Sequence, residues 1–234
     1  MANKKSTDKK GIIYACVVGV IIVALIAIVL LFSETDKKAE NTATSSSNTE
    51  NTPVQEQTTT YTPAPLDDSL TYYADIDMKD YGKITVKLDQ AAAPITCANF
   101  VELANSGFYN GLTLHRIMEG FMMQGGDPLG TGMGGSENKI VGEFTSNGHD
   151  NPISHTRGTI SMARSMAVDS ASSQFFIVHQ DSTFLDGDYA GFGTVTEGIE
   201  IVDKICTDAK PTDNNGTIPA EEQPIINSIT IRTE

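Results

Sequence analysis

Two short runs in this 234-residue chain hold side chains whose types and spacing suit chemistry on a polymer backbone. The first is His115-Arg116-Ile117-Met118-Glu119-Gly120-Phe121-Met122-Met123-Gln124-Gly125-Gly126-Asp127. It sets one permanent cation, Arg116, beside an apolar stretch with a single amide, Gln124. About fifty residues on, Ser173-Gln174-Phe175-Phe176-Ile177-Val178 adds a second amide and two aromatics. No thiol, carboxylate pair or metal-ligand cluster accompanies either run. An arginine, two glutamines and hydrophobic residues can hold a peptide and place charge against it, with little means of acid–base or covalent chemistry. His115, His149, His155 and His179 are scattered, none at metal-ligand spacing to a Cys or another His. No metal or cofactor is expected. By strand alternation His115 falls on the face opposite Arg116 and reads as structural.

The elements that must position these residues are mostly short strands. Thr71–Ile76 and Lys83–Leu88 alternate apolar and polar residues around Lys79-Asp80-Tyr81-Gly82, which reads as a hairpin. Pro94 opens a helix running to about Asn105, with Gly107 beyond its end. Strand-like runs follow at Leu112–Met118, Gly120–Gln124, Thr159–Ala163, Gln174–Val178 and Gly191–Val195. A second helix fits Ile199–Cys206, and Pro224–Arg232 makes a last strand. About eight strands and two helices without βαβ alternation predict a mainly β fold. Its expected form is a closed eight-stranded antiparallel β-barrel capped by two α-helices, spanning residues 70–234. Cys97 and Cys206 fall inside helical patterns and read as apolar packing residues, not a disulfide.

The first seventy residues are different material. Residues 11–32 carry no charged side chain and are nearly all Ile, Val, Leu, Ala or Gly. At ~1.5 Å per residue such a helix crosses a ~30 Å hydrocarbon core, and it exceeds the ~7–15 apolar residues of a signal peptide. It reads as an uncleaved anchor. Lys4, Lys5, Lys9 and Lys10 precede it against Asp8 alone, so residues 1–10 form a cytoplasmic basic tail and the rest lies outside. Residues 33–69, rich in Ser, Thr and Asn, read as a disordered tether. Cell-membrane localisation, single-pass with an extracytoplasmic domain, follows. Residues 66–234 hold ten Lys/Arg against 24 Asp/Glu, so the whole net charge of −14 sits there. That excludes nucleic acid as a partner and opposes adhesion to anionic membrane surfaces.

Four blocks resemble the cyclophilin peptidyl-prolyl cis–trans isomerases. They are His115 through Asp127, Gly158-Thr159-Ile160-Ser161-Met162-Ala163, Ser173-Gln174-Phe175-Phe176-Ile177, and Phe184-Leu185-Asp186-Gly187. They stand in the family's order and spacing from about residue 71 onward. The resemblance implies a catalytic role for Arg116 and an apolar proline slot made by Phe121, Met122, Phe176 and Leu185. It implies that Gln124 binds the substrate backbone, and that Gln174 helps fix Arg116 or the preceding residue. Ala163-Arg164-Ser165 match the stretch that pairs with bound peptide. Gly130 through Gly135, which superficially look like a phosphate loop but lack its Lys-Ser/Thr, would line the groove. Phe184 and Tyr189 stand at the rim where many members carry Trp and His, which weakens expected cyclosporin binding. Arg164 replaces a common Asn. The function implied is isomerisation of proline-containing polypeptides, assisting exported proteins at the outer face of the membrane. The changes at Phe184 and Tyr189 leave open a peptide-binding chaperone or cell-surface interaction module with little turnover.

Overall fold

Alternating residues at 72–78 and 82–88 form a hairpin in the computed structural model, which describes residues 60–234. β1 (Tyr72–Met78) turns Ala74, Ile76 and Met78 inward, and β2 (Gly82–Leu88) turns in Ile84, Val86 and Leu88. Helix α1 (Pro94–Asn105) follows, then β3 (Thr113–Met118), β4 (Met122–Asp127), β5 (Thr159–Met162), β6 (Phe175–Val178) and β7 (Gly191–Glu197). Helix α2 (Ile199–Asp208) and β8 (Ile226–Thr233) complete the order. β4 starts two residues later than alternation suggests, because Gly120, at φ 81°, and Phe121 make the turn from β3.

All eight strands join one antiparallel sheet in the order β3-β4-β6-β5-β7-β2-β1-β8. The mainly β, two-helix architecture is as expected. Continuous closure is not. The two edges of the sheet meet over a short stretch around an isolated bridge, Thr113 to Ile225: the Gly111 N–H donates to the Ile226 carbonyl at 2.8 Å, the Ile226 N–H to the Leu112 carbonyl at 2.8 Å and the Leu114 N–H to the Pro224 carbonyl at 2.9 Å. Pro224 has no N–H to return, so the ladder ends there and a curled sheet keeps a seam.

The main core is closed by α1, which sets Phe100 5.1 Å from the Tyr109 ring, 5.6 Å from Phe175 and 5.2 Å from Phe192. No local side chain caps this helix. Its free N-terminal amides are met from a distance by Glu143, which is 3% exposed. The Glu143 carboxylate accepts from the Ile95 N–H at 3.0 Å, the Thr96 N–H at 2.7 Å and the Thr96 hydroxyl at 2.7 Å. An anion there also sits at the positive end of the helix dipole. Cys97 and Cys206 are buried, unpaired packing residues on α1 and α2. Burial pushes the Cys206 thiol up to about 12.

The tail 1–10, the apolar run 11–32 and linker residues 33–59 lie outside the described residues. Among the described residues, no helix is long and apolar enough to cross a membrane. Residues 60–69, read above as the end of the disordered linker, belong to the folded domain. Tyr61 and Leu66 pack on the core and Pro63 is buried. The Tyr61 N–H donates to the Lys139 carbonyl at 2.6 Å, and its hydroxyl to Glu102 at 2.8 Å. Gln90 donates to the Leu70 carbonyl at 3.1 Å. Three spaced apolar residues in a polar tract were too few to register as a core segment.

Candidate functional site

The strand that carries Arg116 is irregular at that point. Leu114 pairs with Gly125 and Arg116 with Gln124, so His115 is an extra residue with no partner across the ladder. Such a bulge breaks alternation and re-aims the side chains around it. Gly125 lets the strands approach, since a Cβ there would lie 2.7 Å from both the Leu114 side chain and the Thr113 carbonyl. Because of the bulge, His115 is not on the far face. Its ring is 5% exposed, lines the same cavity as Arg116, and neither nitrogen has a hydrogen-bond partner.

Arg116 is half-buried and has no carboxylate at ion-pair distance among the described residues. Its Nε donates to the Asn215 carbonyl at 2.7 Å and its Nη1 to Gln124 Oε1 at 3.2 Å, while Nη2 lies 3.4 Å from Met118 Sδ. A guanidinium has five N–H groups, so these contacts leave about two for a ligand. Burial lowers its pKa, but arginine stays cationic throughout the physiological range. The amides continue the chain of contacts. Gln124 Nε2 donates to Gln174 Oε1 at 2.9 Å, and Gln174 Nε2 donates to the Gly134 carbonyl at 2.7 Å. Gln174 therefore reaches Arg116 only through Gln124.

The apolar residues form a cluster separate from the main core. Met122, Phe176, Val178 and Leu185 are its buried part, with Phe121 and Tyr189 packed against them. Phe175 and Ile177, between them on β6, point into the main core. Together with Arg116 and Gln124, this cluster walls a cavity of about 460 Å³. The Arg116 guanidinium lies 5.9 Å from the Phe121 ring centre. Phe184 is 72% exposed with its ring 5.5 Å from Phe121, and Tyr189 stands edge-on to Phe176 at 5.9 Å.

Ala163 and Arg164 line the same cavity, whereas Ser165 lines a neighbouring one. The Ala163 N–H already donates to the Gln174 carbonyl at 2.9 Å and the Ser165 N–H to the Ser170 hydroxyl at 2.9 Å. The Arg164 backbone N–H and C=O make no hydrogen bond among the described residues, so a strand could pair there. The Arg164 guanidinium packs 4.8 Å from the Tyr189 ring centre and 5.0 Å from that of Phe144.

The loop around Asn215 was missing from the sequence reading. It contributes a backbone carbonyl, which has no residue-type signature. Gly216, at φ 86°, permits the approach, since a Cβ would lie 2.5 Å from Met118 Cγ. Asp127 was quoted but given no role. It is buried and accepts from the Leu129 and Gly132 amides at 2.8 and 2.6 Å, shaping the glycine-rich wall.

The comparisons agree with this arrangement. The family model described as cyclophilin type peptidyl-prolyl cis-trans isomerase/CLD matches residues 73–232. The chain is 46% identical over 126 residues to a Helicobacter pylori peptidyl-prolyl cis-trans isomerase, covering 53% of this chain and 75% of that protein. It is 47% identical over 123 residues to the Bacillus subtilis peptidyl-prolyl cis-trans isomerase B, covering 53% of this chain and 82% of that protein. The chain belongs to the cyclophilin family. A Cryptosporidium parvum cyclophilin crystallised in the presence of the dipeptide Ala-Pro matches with a TM-score of 0.61 and 29% identity, covering 69% of this chain and 99% of that one. This cyclophilin is thus a peptidyl-prolyl cis–trans isomerase.

Behind the cavity, the cyclophilin holds a buried imidazole that the sequence reading left without a role. His155 stacks on Phe176 at 6.0 Å, with Nδ1 2.9 Å from Asp186 Oδ1 and Nε2 3.0 Å from Ser161 Oγ. Burial lowers its pKa below the ordinary 6.5 despite the neighbouring carboxylate. The unfolded chain then binds a proton that the folded one refuses. Stability is full above about pH 6.5 and falls as pH drops through the folded value. His155→Gln, which cannot ionise, is expected to flatten the loss of stability between pH 7 and pH 5. His115, lowered mainly by burial, keeps a residual slope. Urea midpoints across that range check this, and parallel slopes for the two proteins would remove His155 from the account.

Proposed function

We propose that this isomerase works from a membrane tether at the outer face of the cell membrane, on proline-containing segments of newly exported proteins. Peptide-bond rotation faces a barrier of ~18–20 kcal/mol, and X–Pro bonds left alone exchange over tens to hundreds of seconds. No proton need move. The catalyst must favour the twisted state, in which the proline nitrogen pyramidalises and can accept a hydrogen bond. A 10⁵-fold acceleration needs only about 7 kcal/mol of differential stabilisation.

The observation that carries this reading is the pair of free Arg116 N–H groups at the lip of an apolar cavity. With the proline ring against Phe121, Met122, Phe176 and Leu185, those groups face the proline carbonyl and the developing lone pair. Anchoring by Asn215 and Gln124 fixes the fork in advance, so little reorganisation is needed as the bond twists. Gln124 keeps one N–H for the substrate backbone, and the substrate strand pairs with the free Arg164 backbone. The Ala-Pro dipeptide of the Cryptosporidium structure is the kind of ligand this cavity suits. Cyclosporin binds weakly on this reading, since the Phe184 ring offers no N–H donor.

The tethered topology rests on the uncharged run 11–32 and the lysines before it. Protease added to intact cells or wall-stripped protoplasts bearing the full chain tests it. The isomerase domain is expected to be cut away while a cytoplasmic marker survives. Protection of the domain until the membrane is lysed would overturn the topology.

A further inference from the structure

The segment just before β1 joins the domain at a place that bears on the peptide cavity. It lies outside the part of the chain that matches the cyclophilin model, which starts at residue 73. Pro63 is buried, and Tyr61 and Leu66 pack on the core. Tyr61 bonds in two directions. Its hydroxyl donates to both carboxylate oxygens of Glu102 on α1, at 2.8 and 3.0 Å. Its backbone N–H donates to the Lys139 carbonyl at 2.6 Å. A hydrogen bond to a charged acceptor is the stronger kind. The support is firm as well, since Phe100 packs α1 against three core rings.

Lys139 ends the glycine-rich loop, of which Gly130, Thr131, Gly132 and Met133 line the cavity with Arg116. Asp127 holds the start of this loop by accepting from the Leu129, Thr131 and Gly132 amides. In the middle, Gln174 donates to the Gly132 and Gly134 carbonyls at 3.1 and 2.7 Å, and Ser173 Oγ accepts from the Ser136 N–H at 3.0 Å. At the end, residues 137–139 make one backbone–backbone hydrogen bond among the described residues, the one to Tyr61. Glycines at 130, 132, 134 and 135 leave the loop with little side-chain packing of its own, so outside partners set its shape. Gln174 also accepts from Gln124, which accepts from Arg116. Slack in the loop therefore reaches the polar chain behind the guanidinium.

We propose that residues 60–66 form a strap that fixes the glycine-rich wall of the peptide cavity to α1, with Tyr61 as its positioning residue. Tyr61 lies outside the cavity lining and acts through Lys139. The strap keeps the wall in its receiving shape before a peptide arrives. A wall that must be ordered on binding weakens the ground and transition states alike, so the effect falls on KM and leaves kcat. The inference rests on the reading that the peptide lies against this wall.

Variants of the full chain, kept in detergent, test it. Tyr61→Ala is expected to raise KM for a proline tetrapeptide about three- to tenfold, comparable to one hydrogen bond, with kcat within about twofold of wild type. Hydrogen exchange read by mass spectrometry should quicken about tenfold or more over residues 128–139 and stay unchanged in α1. Tyr61→Phe and Glu102→Ala remove the same bond, so each should raise KM by a smaller factor and the pair together no further. Glu102→Gln, which still accepts from the hydroxyl, should stay close to wild type. An unchanged KM in Tyr61→Ala, or faster exchange that extends through α1, would overturn the strap, and additive losses in the pair would break its link to α1. Failure of the wild type to turn over the tetrapeptide would count against the reading of the cavity, and the exchange arm would still decide the strap.

Discussion

Arg116→Ala is expected to lower kcat/KM for a proline tetrapeptide by about 10²–10³-fold, the usual loss when one preorganised donor to a developing charge is removed. Stability should barely change. Among the described residues Arg116 has no carboxylate partner to strand, and its contacts there are a backbone carbonyl, an amide and a thioether. Arg116→Lys is expected to recover little, because an ammonium cannot hold the Asn215 carbonyl and Gln124 while offering further N–H groups in the same plane. A protease-coupled isomerisation assay, with urea midpoints alongside, reads both properties. A variant that lost turnover only because it unfolded would not support the mechanism.

Glu143→Ala is expected to have the largest effect on stability, about 3 kcal/mol, from leaving two helix amides and a hydroxyl without acceptors in a buried setting. For a domain of this size that corresponds to a fall in melting temperature of roughly 6–12 °C. Phe100 links the cap to the whole core, since α1 carries it into contact with Tyr109, Phe175 and Phe192. Glu143→Gln should fall between, because one amide oxygen replaces two carboxylate oxygens. A midpoint within experimental scatter of the wild type would show that water satisfies those donors.

Much of this arrangement could be read from residue order alone, and the reasons are specific. On β6, strict alternation separates Phe176, at the cavity, from Phe175 and Ile177, in the core. Pro94 marks the start of α1 because its missing N–H costs nothing in a first turn. Arg116, Gln124 and Gln174 stood out as polar residues on apolar strands, and all three join one chain of hydrogen bonds. His115 was placed on the wrong face because a bulge is a property of pairing, and one strand viewed alone does not reveal its partner's register.

Other features were hidden for related reasons. Glu143 caps a helix that begins 49 residues before it, and no local motif encodes a distant cap. The Asn215 carbonyl is backbone. Residues 60–69 bind through Tyr61, Pro63 and Leu66, spaced widely enough that the polar tract concealed them. The seam between β3 and β8 depends on where Pro224 falls once the sheet has curled.

Exchange spectroscopy by NMR, on one proline peptide with wild type and with Arg116→Ala, separates binding from rotation most directly. The account predicts that the variant binds the peptide within about fivefold of wild type while cis–trans exchange on the enzyme slows by about a hundredfold or more. Exchange at close to the wild-type rate, with Arg116 absent and peptide bound, would contradict it.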